Sequence, residues 1–87
     1  MLFEIGKVVV TRNADKTLDH SSIILALQKY IKGNWGDLCI EDIEANQEAL
    51  KYGLRLFAVY YDKNNTKFYI ITEADRSITT ILLPEDY

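Results

Sequence analysis

Apolar and polar positions along this chain alternate between two periods. Four stretches concentrate β-branched and aromatic residues: Phe3 to Thr11 with Val8-Val9-Val10, Leu54 to Tyr61, Phe68 to Thr72 and Ile78 to Leu83. Residues of these types suit a pleated and largely buried surface, so each stretch predicts a strand. Leu54 to Tyr61 is apolar on both faces apart from Arg55, which is the pattern of a strand interior to its sheet. Between the first and second stretches the period changes. Ile23, Ile24, Leu27, Tyr30 and Ile31 recur at helical spacing, with Thr17 or Asp19 available as the cap and Gly33 just past the end. A second helix is predicted from about Ile40 to Tyr52, stopped by Gly53. Its apolar stripe, Ile43 and Leu50 with Gln47, Cys39 and Asn46 nearby, is weaker, which places it at the periphery.

The intervening segments read as turns. Asn13-Ala14-Asp15-Lys16 is polar and turn-like, and Asp62-Lys63-Asn64-Asn65-Thr66 is a hairpin loop by composition and length. Glu73-Ala74-Asp75-Arg76-Ser77 connects the last two strands, and Pro84 ends the final one by removing a backbone donor. The order is strand, helix, helix and a three-strand meander. The predicted fold class is α+β, a small antiparallel sheet with two helices on one face, forming a single domain over residues 1–87.

Composition narrows the function classes. With 87 residues there is room for one core, and 48% apolar with 26% charged residues is ordinary for a globular chain. No apolar run approaches the roughly 18 residues of a membrane span, and the N-terminal residues lack a secretory pattern. One cysteine, Cys39, fits a reducing compartment, and the cytoplasm is the expected location. Cys39 has no basic neighbour in sequence and reads as an inert thiol.

The net charge of −3 is unevenly spread. Asp37, Glu41, Asp42, Glu44 and Glu48 fall in one stretch with no lysine or arginine before Lys51. Glu41 and Asp42 also have a structural reason to be there, since acids are favourable in a helix's first turn. An acidic patch disfavours direct phosphate binding and suits a basic protein surface instead. Trp35, between Gly33 and Gly36, reads as a core plug; exposed, it would be an interface anchor. Together with the five acids it makes the candidate partner-binding set.

Catalytic constellations are missing. His20 is the only histidine and has no acid partner in its pattern, so neither a metal site nor a catalytic triad can be built on it. Glu73 and Asp75, even with Asp62, are more simply read as turn residues, with Arg76 as ion-pair partner. A non-enzymatic protein with no cofactor and no metal is expected. The alternative is a single-stranded nucleic-acid binder that stacks bases on Tyr60, Phe68 and Tyr69, with Arg55, Lys63, Lys67 and Arg76 on phosphates.

Three blocks then carry a family resemblance: Gly33-Asn34-Trp35-Gly36, Gly53-Leu54-Arg55-Leu56 with Tyr60, and Ile71-Thr72-Glu73-Ala74-Asp75-Arg76-Ser77 followed by Thr79-Thr80-Ile81-Leu82-Leu83-Pro84-Glu85-Asp86-Tyr87. They resemble short bacterial proteins carried on plasmids, integrative elements and prophages, usually called hypothetical or plasmid-related and sometimes labelled a type I restriction methyltransferase subunit. The likeness covers nearly the whole chain and departs at Lys29, Tyr30 and Asn34, where the family has Arg-His before the glycine and Asp before the tryptophan. A methyltransferase is excluded physically, because 87 residues cannot hold a doubly wound cofactor-binding sheet. The resemblance implies an accessory protein of a mobile element. With the acid cluster, it leads to the expectation of a protein partner, for instance the basic channel of a host defence nuclease in an anti-CRISPR or anti-restriction role. Self-association is a further option for so small a domain.

Overall fold

The computed structural model describes residues 2–87. Strand β1 (Lys7–Val10) is followed by helices α1 (Arg12–Thr17), α2 (His20–Tyr30) and α3 (Ile40–Tyr52). Strands β2 (Leu56–Tyr61), β3 (Lys67–Thr72) and β4 (Ile78–Leu82) come next, and a 3₁₀ turn spans Pro84–Asp86. The α+β class is as predicted, with three helices rather than two.

The sheet order is β1-β4-β3-β2. The meander β2-β3-β4 is antiparallel, but β1 lies parallel to β4, so the sheet is mixed rather than purely antiparallel. Local patterning does not encode this pairing. It depends on contacts across 70 or more residues, Lys7 N–H to Ser77 O (2.9 Å) and Thr79 Oγ1 to Ile5 O (2.6 Å). Gly6 makes the entry feasible: its φ is +61°, and a Cβ there would collide with the Arg76 and Ser77 carbonyls.

The strand read as interior, β2, is an edge strand whose open side has been covered. Asn46 of α3 holds Phe57 at both backbone groups, accepting from its N–H (3.1 Å) and donating to its C=O (2.6 Å). Two residues on, Val59 N–H donates to Trp35 O (3.2 Å) and Asp37 N–H to Val59 O (2.8 Å). Gly36, at φ +75°, lets that segment pass close enough, since a Cβ would strike the Val59 carbonyl. With its edge hydrogen-bonded, β2 can be apolar on both faces without behaving as an exposed template.

Helix boundaries follow from caps. Asp19, not Thr17, caps α2, accepting from Ser22 N–H (2.9 Å). Gly53 ends α3 in the left-handed region. The stretch read as a turn at Asn13–Lys16 is instead α1, capped by Thr11, which accepts from Ala14 N–H (3.2 Å).

One core gathers Ala14, Leu18, Ile23, Ala26 and Tyr30 from the first two helical segments, with Trp35 and Ala49. They pack against Leu56, Ala58, Tyr60, Phe68, Ile70, Ile81 and Leu83 on one side of the sheet. Polar groups within it are paired. Tyr30 OH, Thr72 Oγ1 and Thr79 Oγ1 lie 2.7 and 2.8 Å apart in a relay that ends on the Ile5 carbonyl. Burial pushes the Tyr30 phenol up to about 12, so it stays a neutral hydrogen-bonding group.

Candidate functional site

The sites expected from the sequence are placed as follows. Asp37, Glu41, Asp42, Glu44 and Glu48 are all exposed, and none forms an ion pair among the described residues. They extend from the outer side of β2 along α3. Trp35 does not join them. It is 6% exposed and packs in the core, stacked on Phe3 (5.9 Å between ring centres) and edge-on to Tyr30 (5.5 Å). It is therefore the core plug and not a surface anchor.

The connector of Glu73, Asp75 and Arg76 is committed to the backbone. Arg76 Nη1 donates to the carbonyls of Leu54 (2.6 Å), Glu73 (3.1 Å) and Ala74 (3.2 Å), and Nη2 to that of Ala49 (3.0 Å). The guanidinium thus sits at the C-terminal end of α3, where a cation is favoured. Asp75 accepts from Ser77 N–H (3.0 Å) and Oγ (2.6 Å), and these bonds hold its carboxyl below the usual range. Glu73 pairs with Arg55 at 3.2 Å. No pair of carboxylates converges here, and the described residues contain no cluster of three or more metal-ligating side chains.

His20, read as having no acid partner, does have one: its Nε2 lies 3.1 Å from the Asp15 carboxylate, at an exposed site. Cys39 is exposed, and its thiol is shifted up. The Asp42 N–H favours the thiolate, but desolvation and the Asp42 and Glu41 carboxyls outweigh it. An open cleft of about 250 Å³ between α2 and the β2–β3 hairpin contains Ser22, Lys29, Asp62 and Lys63. Its one acid, Asp62, is buried and already accepts from the N–H groups of Asp19, Asn64 and Thr66 at 2.9–3.0 Å. The carboxylate of this cleft is thus engaged by backbone N–H groups.

The largest unassigned feature is the other side of the sheet. Strand alternation puts Phe57, Val59 and Tyr61 of β2, Tyr69 and Ile71 of β3, Thr80 and Leu82 of β4 and Val9 of β1 on one face. None of these residues belongs to the cluster that the α-helices bury, and the Pro84–Asp86 turn packs against β3 from outside the sheet. Phe57 and Tyr69 meet edge-on (5.0 Å), and Tyr87 stands against Tyr69 (6.3 Å). Val59, Ile71 and Leu82 are buried between these larger neighbours, while Tyr61 and Tyr87 are 45% and 76% exposed. At one border the Tyr61 hydroxyl donates to Asp37 (3.4 Å), which joins the face to the acidic side of α3.

The residues named for base stacking are divided between the two faces. Tyr60 and Phe68 point into the core, and only Tyr69 of that trio is on the open face. Of the four basic residues assigned to phosphates, Arg76 is tied to carbonyls, Arg55 to Glu73 and Lys63 to Asp19 (3.4 Å). Lys67 alone has no such partner among the described residues. Tyr61, Tyr69 and Tyr87 are among the tyrosines that the sequence offers for a protein interface, whereas half-buried Phe57 was missed. Both faces of β2 are apolar, so alternation gave no indication of which side the helices cover.

No helix among the described residues is long and apolar enough to cross a membrane. No protein-family model, curated protein or solved structure matches this chain.

Proposed function

We propose that this is a non-enzymatic protein-binding module that engages its partner through the helix-free sheet face, in the manner of a small cytoplasmic accessory protein of a mobile element. The observation that carries the reading is the aromatic row of Phe57, Tyr69, Tyr61 and Tyr87 lying over buried aliphatic residues, with no α-helix across it among the described residues. Exposed Tyr61 and Tyr87 and half-buried Phe57 and Tyr69 around an apolar centre, with charges kept to the margin, have the make-up of an interface core and rim. The partner it fits has an apolar surface with basic residues on one border, where it meets Asp37 and the carboxylates of α3. A nucleic-acid enzyme with a basic channel has that chemistry, and a defence nuclease of the host is the instance the mobile-element resemblance implies.

The test is a pull-down from host extract with tagged wild-type protein, with and without nuclease treatment, beside Tyr69→Ser and the double variant Glu44→Lys, Glu48→Lys. The expected result is a protein captured by the wild type after nuclease digestion, lost with Tyr69→Ser and weakened with the charge-reversed α3. Identical capture by wild type and Tyr69→Ser would overturn the assignment of the face. Capture abolished by nuclease would point to nucleic acid as the bridge instead.

A further inference from the structure

The two edges of the sheet are treated differently. The β2 edge is closed by Asn46 and by the Trp35–Asp37 segment, whereas the β1 edge carries no such cover among the described residues. Lys7 N–H donates to Ser77 O (2.9 Å) and Thr11 N–H to Ile81 O (3.0 Å), both toward β4. Since alternate residues of a strand bond to one neighbour, Val9 follows Lys7 and Thr11, and Val8 and Val10 turn their N–H and C=O outward. Val8 and Val10 are 39% and 38% exposed. Its shortness and Lys7 are the protections this edge has; no proline, bulge or inward charge lies between Lys7 and Val10.

The geometry points to β1 as a self-pairing edge, through which two copies of this chain form an antiparallel dimer with a continuous eight-stranded sheet. The occupant is a second copy because the edge is complementary to itself. An antiparallel two-fold axis through Val9 sets Val8 of one copy opposite Val10 of the other, so both outward N–H groups and both outward C=O groups of each chain find partners. The same register places Lys7 opposite Thr11, so no like charges face each other directly. A four-residue strand pair buries much less than the roughly 1,200–2,000 Å² of a stable interface, so the dimer is weak and concentration-dependent. It also sets two helix-free faces side by side on one surface. This inference stands apart from the reading of that face, because it concerns the edge and a different set of groups.

Two measurements test it. Sedimentation equilibrium of the full chain is expected to show a mass of 10.0 kDa at low micromolar concentration, rising toward twice that near millimolar. Val8→Pro removes one outward N–H and leaves the bonds to β4 intact, so it is expected to stay monomeric with an unchanged circular dichroism spectrum. In a Cys39→Ser background, Val9→Cys puts two thiols on the axis as a non-hydrogen-bonded pair with Cα atoms about 4.5 Å apart, within disulfide reach. Mild oxidation is expected to cross-link it at least about tenfold faster than Lys7→Cys, whose copies do not meet on the axis. Wild-type protein that stays monomeric at all concentrations, or equal cross-linking of the two cysteine variants, would overturn the proposal.

Discussion

Arg76 is the side chain on which most backbone carbonyls converge, and it is itself held at φ +63°. One guanidinium thereby joins the end of α3, the entry to β2 and the β3–β4 turn. Hydrogen bonds to a charged group contribute about 1.5–3 kcal/mol, and the orphaned carbonyls are partly reachable by water, so Arg76→Ala should cost about 2–3 kcal/mol. Arg76→Lys keeps the charge but not the fork, and should recover less than half of this in urea midpoints. Asp62 offers a pH test at the same scale. Burial pushes its carboxyl up, but the N–H groups of Asp19, Thr66 and Asn64 outweigh that and hold it below its ordinary value. The unfolded chain, with a pKa of about 3.9, therefore takes up the proton first as pH falls. The stabilisation is complete above that value and is lost as pH drops through the lower folded value. Asp62→Asn should be less stable than wild type at pH 7 and lose less stability between pH 5 and pH 2. Parallel stability–pH curves for the two proteins would contradict this role.

Elements in this fold are positioned by a few side chains that act as backbone. Asn46, 3% exposed on α3, takes the place of a neighbouring strand for Phe57. Asn46→Ala would leave an N–H and a C=O of β2 without partners, and the desolvation penalty for such groups puts the loss at about 2–4 kcal/mol. Asn46→Asp keeps the acceptor but sets a buried carboxylate oxygen against the Phe57 C=O, so at neutral pH it should be at least as destabilised as Asn46→Ala in chemical denaturation. The same residue shows what the sequence made legible. The second helix was readable from its acidic first turn and Gly53, and β2, β3 and β4 from their apolar runs. Asn46 gave no signal, because an asparagine on a weak apolar stripe looks like an ordinary surface residue. Helix α1 was hidden for a related reason. Its six residues, Arg12-Asn13-Ala14-Asp15-Lys16-Thr17, have turn-like composition, and what sets them is a cap and a carboxylate from the other end of the chain. The parallel pairing of β1 was equally out of reach of local pattern. For the candidate site, the exposed carboxylates of α3 were legible as a charge cluster. The open aromatic face was not, because an apolar strand looks the same whichever side is covered.

At the scale of the whole molecule, residues near the two ends are bound into one unit. β1 pairs with β4 in register from Lys7–Ile78 to Val10–Ile81, and beyond that ladder Asp86 reaches back to α1. Its Oδ2 accepts from Thr11 Oγ1 (2.6 Å) and Leu83 N–H (3.1 Å), and its Oδ1 from Asn13 Nδ2 (2.8 Å). Thr11 and Asn13 together hold the Asp86 carboxyl below its usual range. Thr11 therefore closes β1, caps α1 and receives the C-terminal turn, and loss of Asp86 should act on all three. Local opening of one cooperative region leaves the rest of a domain protected, and α2 and α3 make no bond to Asp86. For Asp86→Ala, amide exchange should accelerate several-fold across Arg12–Thr17 and in β1, with α3 and the β2–β3 pair unchanged. Acid should reproduce the effect in the wild type. The folded carboxyl titrates lower than the unfolded one, so the protection of α1 should persist down to the lower value and then fall as Asp86 is protonated. Exchange that accelerates equally in α1 and α3 would mean instead that the C-terminal turn stabilises the domain only globally, with no privileged link to the first helix.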